Sequence, residues 1–195
     1  MQDIILASQS PRRKTLLEWA EIPFEVIVKP TLESYSEGMA VNEIPIHIAR
    51  EKALVVKEHI REAYHAQLAG KTILAADTIV VLNNRVIGKP VDREDAIQIL
   101  SSLSGQLHQV ITGVVILHKK GEIAFADITE VQFHQLTKEQ ITNYVDKYQP
   151  YDKAGAYAIQ EWIGVVGIQS IKGDFYNVMG LPVSRVVQAL NTIIE

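Results

Sequence analysis

The sequence predicts an α/β fold in which a mixed β-sheet is flanked by helices. Apolar runs of strand length alternate with segments of helical periodicity, and some neighbouring strands are separated only by short turns. Such hairpins favour a mixed sheet over a strictly parallel one. The 195 residues are 47% hydrophobic and 22% charged, which is the balance of an ordinary folded protein. We therefore expect a single domain over residues 1–195.

Local patterns place the individual elements. Residues 73–82 form an apolar run that ends at Asn83-Asn84 and returns through residues 85–88, which predicts a hairpin. Apolar residues at steps of three and four predict a long helix over residues 42–66. Further strands are predicted at residues 3–7, 24–28, 107–117 and 122–134, and further helices at residues 11–20, 92–103, 137–147 and 180–194.

Composition excludes several classes of function. The chain contains no cysteine, which excludes disulfides, thiolate metal sites and cysteine nucleophiles. A formal net charge of −4 argues against broad nucleic-acid binding, which needs a basic excess. No apolar run reaches the roughly 18 residues of a membrane span, and no signal-peptide pattern opens the chain. We expect a cytoplasmic protein that contacts neither a membrane nor a nucleic acid polymer.

A cluster of cations follows a helix-start signal near the N-terminus. Ser10 suits the N-cap and Pro11 the first helical position, so that Arg12, Arg13 and Lys14 fall in the first turn. The helix dipole disfavours positive charge there, whereas free N–H groups and arginine forks suit phosphate oxygens. These residues indicate either an anion site or a solvated basic turn paired with carboxylates.

Asp77 is the lone ionisable residue in the apolar run 73–82. Because burying an unpartnered carboxylate is costly, it is either a metal-binding or water-activating group or an edge-strand residue that caps a turn. Lys89 follows the returning hairpin strand, and a tight register would bring its ammonium close to Asp77. Lys52 borders the apolar stripe of the long helix. Both lysines also suit ordinary surface positions.

Familiar phosphate and nucleophile motifs are missing from the sequence. It contains no GxxxxGK[ST] loop, GxGxxG fingerprint or GxSxG elbow. Its six histidines show no paired metal-ligand spacing. If the protein binds phosphates, it does so by other means.

Five short segments, read in order, point to a known family. They are LASQSPRR at 6–13, ADT at 76–78, GKP at 88–90, DKAGAY followed by IQ at 152–160, and GLP at 180–182. In this order and spacing the chain resembles the Maf proteins, also called septum formation inhibitors, which are nucleoside triphosphate pyrophosphatases. The resemblance extends from residue 4 to about residue 186.

This resemblance implies a fold and an activity. The implied fold is related to the inosine triphosphatases, with an elongated mixed sheet and two lobes with a cleft between them. The implied activity is hydrolysis of a nucleoside triphosphate between its α and β phosphates, giving a monophosphate and pyrophosphate, with Mg²⁺ or Mn²⁺. The resemblance further implies that the chain can form a homodimer.

The resemblance also assigns roles to individual residues. Asp77 matches the family's proton acceptor, and Glu33 and Asp77 are the carboxylates expected near the metal. Arg12, Thr78 and Gln160 match positions tied to substrate choice, and their identities resemble the subfamily that acts on dTTP and UTP. The full set of expected substrate-binding residues is Ser8, Arg12, Arg13, Lys52, Thr78, Lys89, Lys153 and Gln160.

Two positions depart from the family's pattern. Leu32 precedes Glu33 where the family often has aspartate, and Glu161 follows Gln160 where glycine is common. The first change bears on the metal role of Glu33. The second places an extra carboxylate beside the expected base-reading loop, where it could weaken binding or shift specificity.

Two other functions stay compatible with the sequence. One is a nucleotide-binding regulator of cell division or septum formation. The other is a house-cleaning hydrolase for modified pyrimidine triphosphates. Retention of Asp77 favours an enzyme over a pure regulator, because a regulator needs the cations but no base.

Overall fold

A computed structural model of the protein describes residues 3–63 and 68–194. In these ranges no helix is long and apolar enough to cross a membrane. Strands and helices are interspersed along the chain, which confirms the predicted α/β class. In chain order they are β1 (Ile4–Leu6), α1 (Pro11–Trp19), β2 (Phe24–Val26), α2 (Ile44–Ala63), β3 (Thr72–Leu82), β4 (Arg85–Ile87), α3 (Arg93–Leu103), β5 (Leu107–His118), β6 (Gly121–Phe133), α4 (Lys138–Tyr148), a short 3-10 helix (Ala154–Ala156), α5 (Trp162–Gly167), β7 (Ile168–Lys172), α6 (Phe175–Met179) and α7 (Val183–Ile194).

The described strands form one mixed sheet of seven strands. Its order is β2-β1-β3-β5-β6-β7, and β4 pairs with β3 beside this path. Strand β1 runs parallel to both β2 and β3. The pairs β3–β4 and β6–β7 are antiparallel. The combination confirms the predicted mixed sheet.

The β3–β4 hairpin has the predicted two-residue turn. Leu82 pairs with Arg85, and Asn83 and Asn84 between them adopt left-handed conformations with φ of 50° and 62°. Asparagine tolerates this conformation, and a turn of this handedness matches the twist of the flanking strands. The hairpin therefore forms within one residue of its predicted bounds.

The chain divides into two compact units. The first comprises Met1–Asp77, Thr112–Asp127 and Gly180–Glu195, and the second comprises Thr78–Ile111 and Ile128–Met179. Strands β3, β5 and β6 contribute residues to both units. The assignment of residues 1–195 to a single domain stays a prediction.

The core of the first unit forms where α2 packs against the sheet. Alanines at positions 49 and 53 are fully buried, and their small side chains let the helix approach the strands closely. This packing fixes the side of α2 that carries Lys52 beside β3. The buried members of the core are Ile5, Ala7, Ala49, Ala53, Val56, Ile60, Leu68, Ile73, Ala75, Val115 and Leu117.

Gly113 sets how closely the start of α2 approaches β5. A Cβ at this position would overlap the backbone of Pro45 and Ile46. We expect Gly113→Ala to lower the free energy of unfolding by about 1–3 kcal/mol, because the helix must shift to make room. Denaturant unfolding measures the loss. Gly88→Ala is the matched control, since a Cβ there meets no atom within 4 Å; an equal loss in both variants would contradict this explanation.

The second unit contains a buried aromatic group. The rings of His108, Phe133 and Tyr157 meet edge to face, with centroids 5.0–5.5 Å apart. The Nε2 atom of His108 lies 2.8 Å from the Tyr157 hydroxyl. Burial lowers the pKa of His108 from 6.5 to about 4, because a charged imidazolium is poorly solvated there.

This histidine predicts a pH dependence of stability. Between pH 6.5 and about 4 the unfolded chain protonates His108 while the folded chain does not, so folding loses stability as the pH falls. At 1.36 kcal/mol per pH unit the loss reaches about 3 kcal/mol near pH 4. Denaturant unfolding at a series of pH values measures it. His108→Gln should flatten the slope and His134→Gln, an exposed histidine, should not; equal slopes in wild type and His108→Gln would refute the assignment.

The structure differs from the predicted elements mainly near the C-terminal end. Helices α5 and α6 were not predicted, because glycines interrupt α5 and α6 has only five residues. Strand β7 lies in a region that the sequence predicts as strand and turn, ending at Gly173-Asp174. The closing helix α7 begins at Val183, three residues later than predicted. The predicted helix 42–66 is observed as Ile44–Ala63, and residues 64–66 lie outside the described residues.

Candidate active site

Helix α1 presents its predicted cationic first turn. Ser10 occupies the N-cap and Pro11 begins the helix, as predicted, but the Ser10 side chain makes no capping bond. Its backbone N–H instead donates to Ser8 Oγ at 3.3 Å. The first turn contains no acidic residue, so no carboxylate of that turn balances Arg12 and Arg13.

Arg13 is a buried cation held by two neutral groups. Its Nε donates to the Gly180 carbonyl oxygen at 2.7 Å, and its Nη1 donates to Ser8 Oγ at 3.0 Å. Arg13 and Ser8 are 9% and 6% exposed. These bonds orient the guanidinium without cancelling its charge. Burial lowers the pKa of Arg13, and the negative charge of Asp77 acts in the opposite direction.

Lys52 joins two carboxylates. Its Nζ lies 2.7 Å from Asp77 Oδ1 and 2.7 Å from Glu33 Oε1. Lys52 projects from α2, Asp77 lies within β3, and Glu33 lies in the irregular segment between β2 and α2. The Lys52 and Asp77 side chains are 17% and 12% exposed, whereas Glu33 is 45% exposed. The buried carboxylate therefore has the cationic partner that its burial requires.

Arg13, Glu33, Lys52 and Asp77 form one charged cluster in the first unit. The charges of Asp77 and Glu33 both raise the pKa of Arg13, so the guanidinium lies within electrostatic range of both carboxylates. Arg12, which is half-buried, lies in the same helix turn as Arg13. Cations of this kind can bind phosphate oxygens, and a carboxylate beside them can accept a proton from water. The cluster thus combines groups that can bind phosphates with a group that can activate water.

The carboxylates of the cluster fit a divalent cation. Within the described residues no group of three or more His, Asp or Glu side chains could hold a metal by itself. Mg²⁺ is usually bound through one or two carboxylates together with substrate phosphates. Glu33 and Asp77 face the same ammonium and supply two such carboxylates. The donor set therefore fits an ion that arrives with a triphosphate.

The remaining predicted residues belong to the second unit. Thr78 is half-buried and directly follows Asp77 in β3, Lys89 is exposed just beyond the end of β4, and the side chain of Gln160 is exposed between the 3-10 helix and α5. Their contacts with a substrate, and the proximity of Lys89 to Asp77, stay predictions.

Lys153, an expected substrate-binding residue, is almost completely enclosed. It is 9% exposed, and its Nζ lies 2.8 Å from Asp152 Oδ1 and 3.6 Å from Glu161 Oε1. Glu161 also accepts a short hydrogen bond from the Tyr144 hydroxyl. The extra carboxylate noted in the sequence is therefore paired within its own unit.

Two partners in these contacts were missed by sequence reasoning. The Gly180 carbonyl holds Arg13, but a backbone acceptor has no signature in a sequence beyond the GLP motif that contains it. Tyr144 lies 17 residues from Glu161, and no spacing rule connects a tyrosine in a helix with a glutamate in a later loop.

The comparisons with known proteins agree with this fold. The structure is similar to that of the Ham1 protein of Staphylococcus aureus, with a TM-score of 0.50 and 16% identity over the full length of both chains, which identifies a Ham1-like fold. Residues 3–193 match the family model described as Maf-like protein. The chain belongs to the Maf family.

Close relatives carry a more specific name. A protein of Cytophaga hutchinsonii named dTTP/UTP pyrophosphatase is 48% identical over 188 residues, covering 96% of this chain and 83% of the relative. A protein of Parabacteroides distasonis with the same name is 48% identical over 189 residues, covering 96% and 94%.

Proposed function

We propose that this chain hydrolyses dTTP and UTP between the α and β phosphates to the nucleoside monophosphate and pyrophosphate. The observation that carries the proposal is the position of Lys52 Nζ, 2.7 Å from both Asp77 Oδ1 and Glu33 Oε1, in the same charged cluster as a buried arginine. The names of the relatives support the choice of reaction and substrates.

The cations of α1 receive the phosphates. Arg13 is already oriented by Gly180 and Ser8, so little side-chain entropy is lost when a phosphate binds. Arg12, in the same turn, adds a second guanidinium fork. Burial lowers the pKa of Arg13, and the negative charge of a bound polyphosphate acts in the opposite direction, as the charges of Asp77 and Glu33 do.

The chemical step is an in-line attack by water on the α-phosphorus. Asp77 accepts the proton of the attacking water while the new P–O bond forms and the bond to the bridging oxygen breaks. The electron pair of that bond leaves with pyrophosphate. Lys52, bonded to Asp77, orients the carboxylate, and the cations offset the charge that builds on the leaving group.

Glu33 and Asp77 would hold the Mg²⁺ or Mn²⁺ together with the substrate. When bound, the ion supplies positive charge that screens the phosphate oxygens. Because Lys52 contacts both carboxylates, it keeps them together and limits their mutual repulsion.

Selectivity for pyrimidine bases rests on Arg12, Thr78 and Gln160 in this proposal. Lys89 and Lys153 would add cations along the phosphate chain. These assignments follow the matching positions of the Maf family rather than distances within the structure.

Pyrophosphate release from a panel of nucleoside triphosphates, with Mg²⁺ or Mn²⁺ and with neither, tests the proposal. We expect the largest release from dTTP and UTP, and only with a divalent ion. Hydrolysis in H₂¹⁸O identifies the bond that is cleaved, because attack at the α-phosphorus places ¹⁸O in the monophosphate and none in pyrophosphate.

Three other outcomes would count against the proposal. Release of orthophosphate with ¹⁸O in that product indicates cleavage at the γ-phosphorus. Tight binding without turnover of any nucleotide favours the regulatory function. Much faster turnover of a modified pyrimidine triphosphate than of dTTP and UTP favours the house-cleaning function.

A further inference from the structure

We propose that Glu161 is a positioning residue for base selection. Through its hydrogen bond with the Tyr144 hydroxyl, it holds in place the backbone that carries Gln160. The inference rests on the proposed function, in which Gln160 contacts the base. All three residues belong to the second unit.

The Tyr144 hydroxyl connects two points of the segment around Gln160. Tyr144 lies in α4 and is completely buried. Its oxygen accepts a hydrogen bond from the backbone N–H of Ala158 at 3.2 Å and donates to Glu161 Oε2. Burial, together with the hydrogen bond to Glu161, raises the pKa of Tyr144, so the phenol keeps the proton that it donates.

The backbone between these two points is also bonded to itself. The N–H of Glu161 donates to the Ala158 carbonyl at 3.0 Å, and the N–H of Gly164 donates to the Glu161 carbonyl at 2.9 Å. Gly164 approaches the Ile159 carbonyl so closely that any Cβ at Gly164 would overlap it. Gln160 therefore lies between tightly held neighbours while its own side chain is exposed.

The second oxygen of Glu161 faces a cation. Lys153 Nζ lies 3.6 Å from Glu161 Oε1 and 2.8 Å from Asp152 Oδ1. With one oxygen bonded to Tyr144 and the other facing Lys153, the carboxylate is oriented and its charge is compensated. This geometry fits a residue that fixes a loop better than one that repels a triphosphate.

The test compares base selectivity in Glu161→Gln, Tyr144→Phe and the double variant. The measured quantity is the ratio of kcat/KM for dTTP to that for dGTP. We expect each single variant to lower the ratio about tenfold, chiefly through a higher KM for dTTP with kcat little changed, because the loop is displaced rather than the reacting groups. The double variant should lower it no further, since both changes break the same connection.

Two additional variants complete the design. Gln160→Ala should lower the ratio at least as much as Glu161→Gln. Tyr148→Phe is the matched control, because Tyr148 lies one turn later on the same helix with its ring stacked on Tyr144 at 4.9 Å. Tyr148→Phe also removes a tyrosine hydroxyl, and the variant should keep the wild-type ratio of kcat/KM values.

Several results would overturn the inference. One is an unchanged ratio of kcat/KM for dTTP to that for dGTP in the single variants or in Gln160→Ala. Another is a double variant in which the effects of Glu161→Gln and Tyr144→Phe multiply, because the two changes would then act independently. An equal loss for all nucleotides, with a lower unfolding temperature, indicates a purely structural role. A lower KM for every nucleotide in Glu161→Gln indicates repulsion of the phosphates.

Dissociation constants separate failure of this inference from failure of the proposed function. Calorimetric titration of dTTP and dGTP without a divalent ion gives the ratio of their dissociation constants, which measures base selectivity without turnover. A wild-type chain that binds selectively but releases no pyrophosphate contradicts the proposed function alone. A wild-type chain that releases pyrophosphate, with a calorimetric ratio unaffected by Glu161→Gln, contradicts this inference alone.

Discussion

Asp77→Asn is expected to reduce pyrophosphate release by about 10²–10⁴-fold, the usual contribution of a general base. The amide has nearly the same shape as the carboxylate and its oxygen can still accept from Lys52, which lies 2.7 Å from Asp77 Oδ1. It cannot accept a proton from water. Turnover under saturating dTTP measures the loss, and thermal unfolding measures whether the chain stays folded.

Asp127→Asn is the matched control for this variant. Asp127 belongs to the same unit and also faces a cation, with Oδ2 3.6 Å from Arg185 Nη1. It lies outside the charged cluster, so turnover should stay near the wild-type value. Near-normal turnover by Asp77→Asn, in a folded chain, would contradict the assignment of the proton acceptor.

Arg13→Lys is expected to have the second largest effect, a rise of about tenfold or more in the KM for dTTP. Lysine retains the charge but replaces a planar fork with a single ammonium, which cannot hold the Gly180 carbonyl, Ser8 Oγ and a phosphate together. We also expect a loss of about 1–3 kcal/mol in the free energy of unfolding, because the buried hydrogen bond from Arg13 Nε to the Gly180 carbonyl is lost. Steady-state kinetics and denaturant unfolding measure the two effects.

Arg50→Lys separates this effect from the general consequences of replacing an arginine. Arg50 also makes a forked interaction, with Nε and Nη2 at 3.0 and 2.8 Å from Glu122 Oε1, and it lies in the same unit. Its interaction is exposed, so both measured quantities should stay near wild type. Equal effects in the two variants would show that Arg13 has no special role in binding the triphosphate.

Local signals in the sequence were sufficient for much of the fold. The Asn83-Asn84 turn was predictable because asparagine tolerates the left-handed conformation that a two-residue hairpin needs. Helix α2 was predictable from its apolar stripe. Helix α5 was not, since Gly164 and Gly167 weaken a short helix, and the close approach of Gly164 to the Ile159 carbonyl is a contact that no periodic pattern indicates.

The candidate site was only partly accessible to the same reasoning. Asp77 was recognisable as a charge in a buried strand, and Lys52 as a cation at the border of an apolar stripe. Their hydrogen bond connects residues 25 positions apart, a distance at which neither periodicity nor propensity has information. Glu33 lies in a segment without helix or strand, so only the family resemblance pointed to it.

The contacts of Glu161 illustrate a second limit of prediction from the sequence. From the sequence, this residue was an extra charge that could weaken binding. In the structure its two oxygens face Tyr144 and Lys153, so the charge has partners. Whether a carboxylate weakens binding or stabilises a loop depends on neighbours that come from other elements of the fold.

The order of the sheet has a consequence for how the protein behaves when crowded. The long strands β3, β5 and β6, with 11, 12 and 13 residues, lie inside the sheet. Among the described strands, the ends of the order are β2 and β7, with three and five residues, and β7 ends at Lys172, whose side chain is 88% exposed. Short edges that carry charge offer a poor template for strands of other molecules. The two ends of the strand order therefore disfavour pairing with strands of neighbouring chains at high concentration.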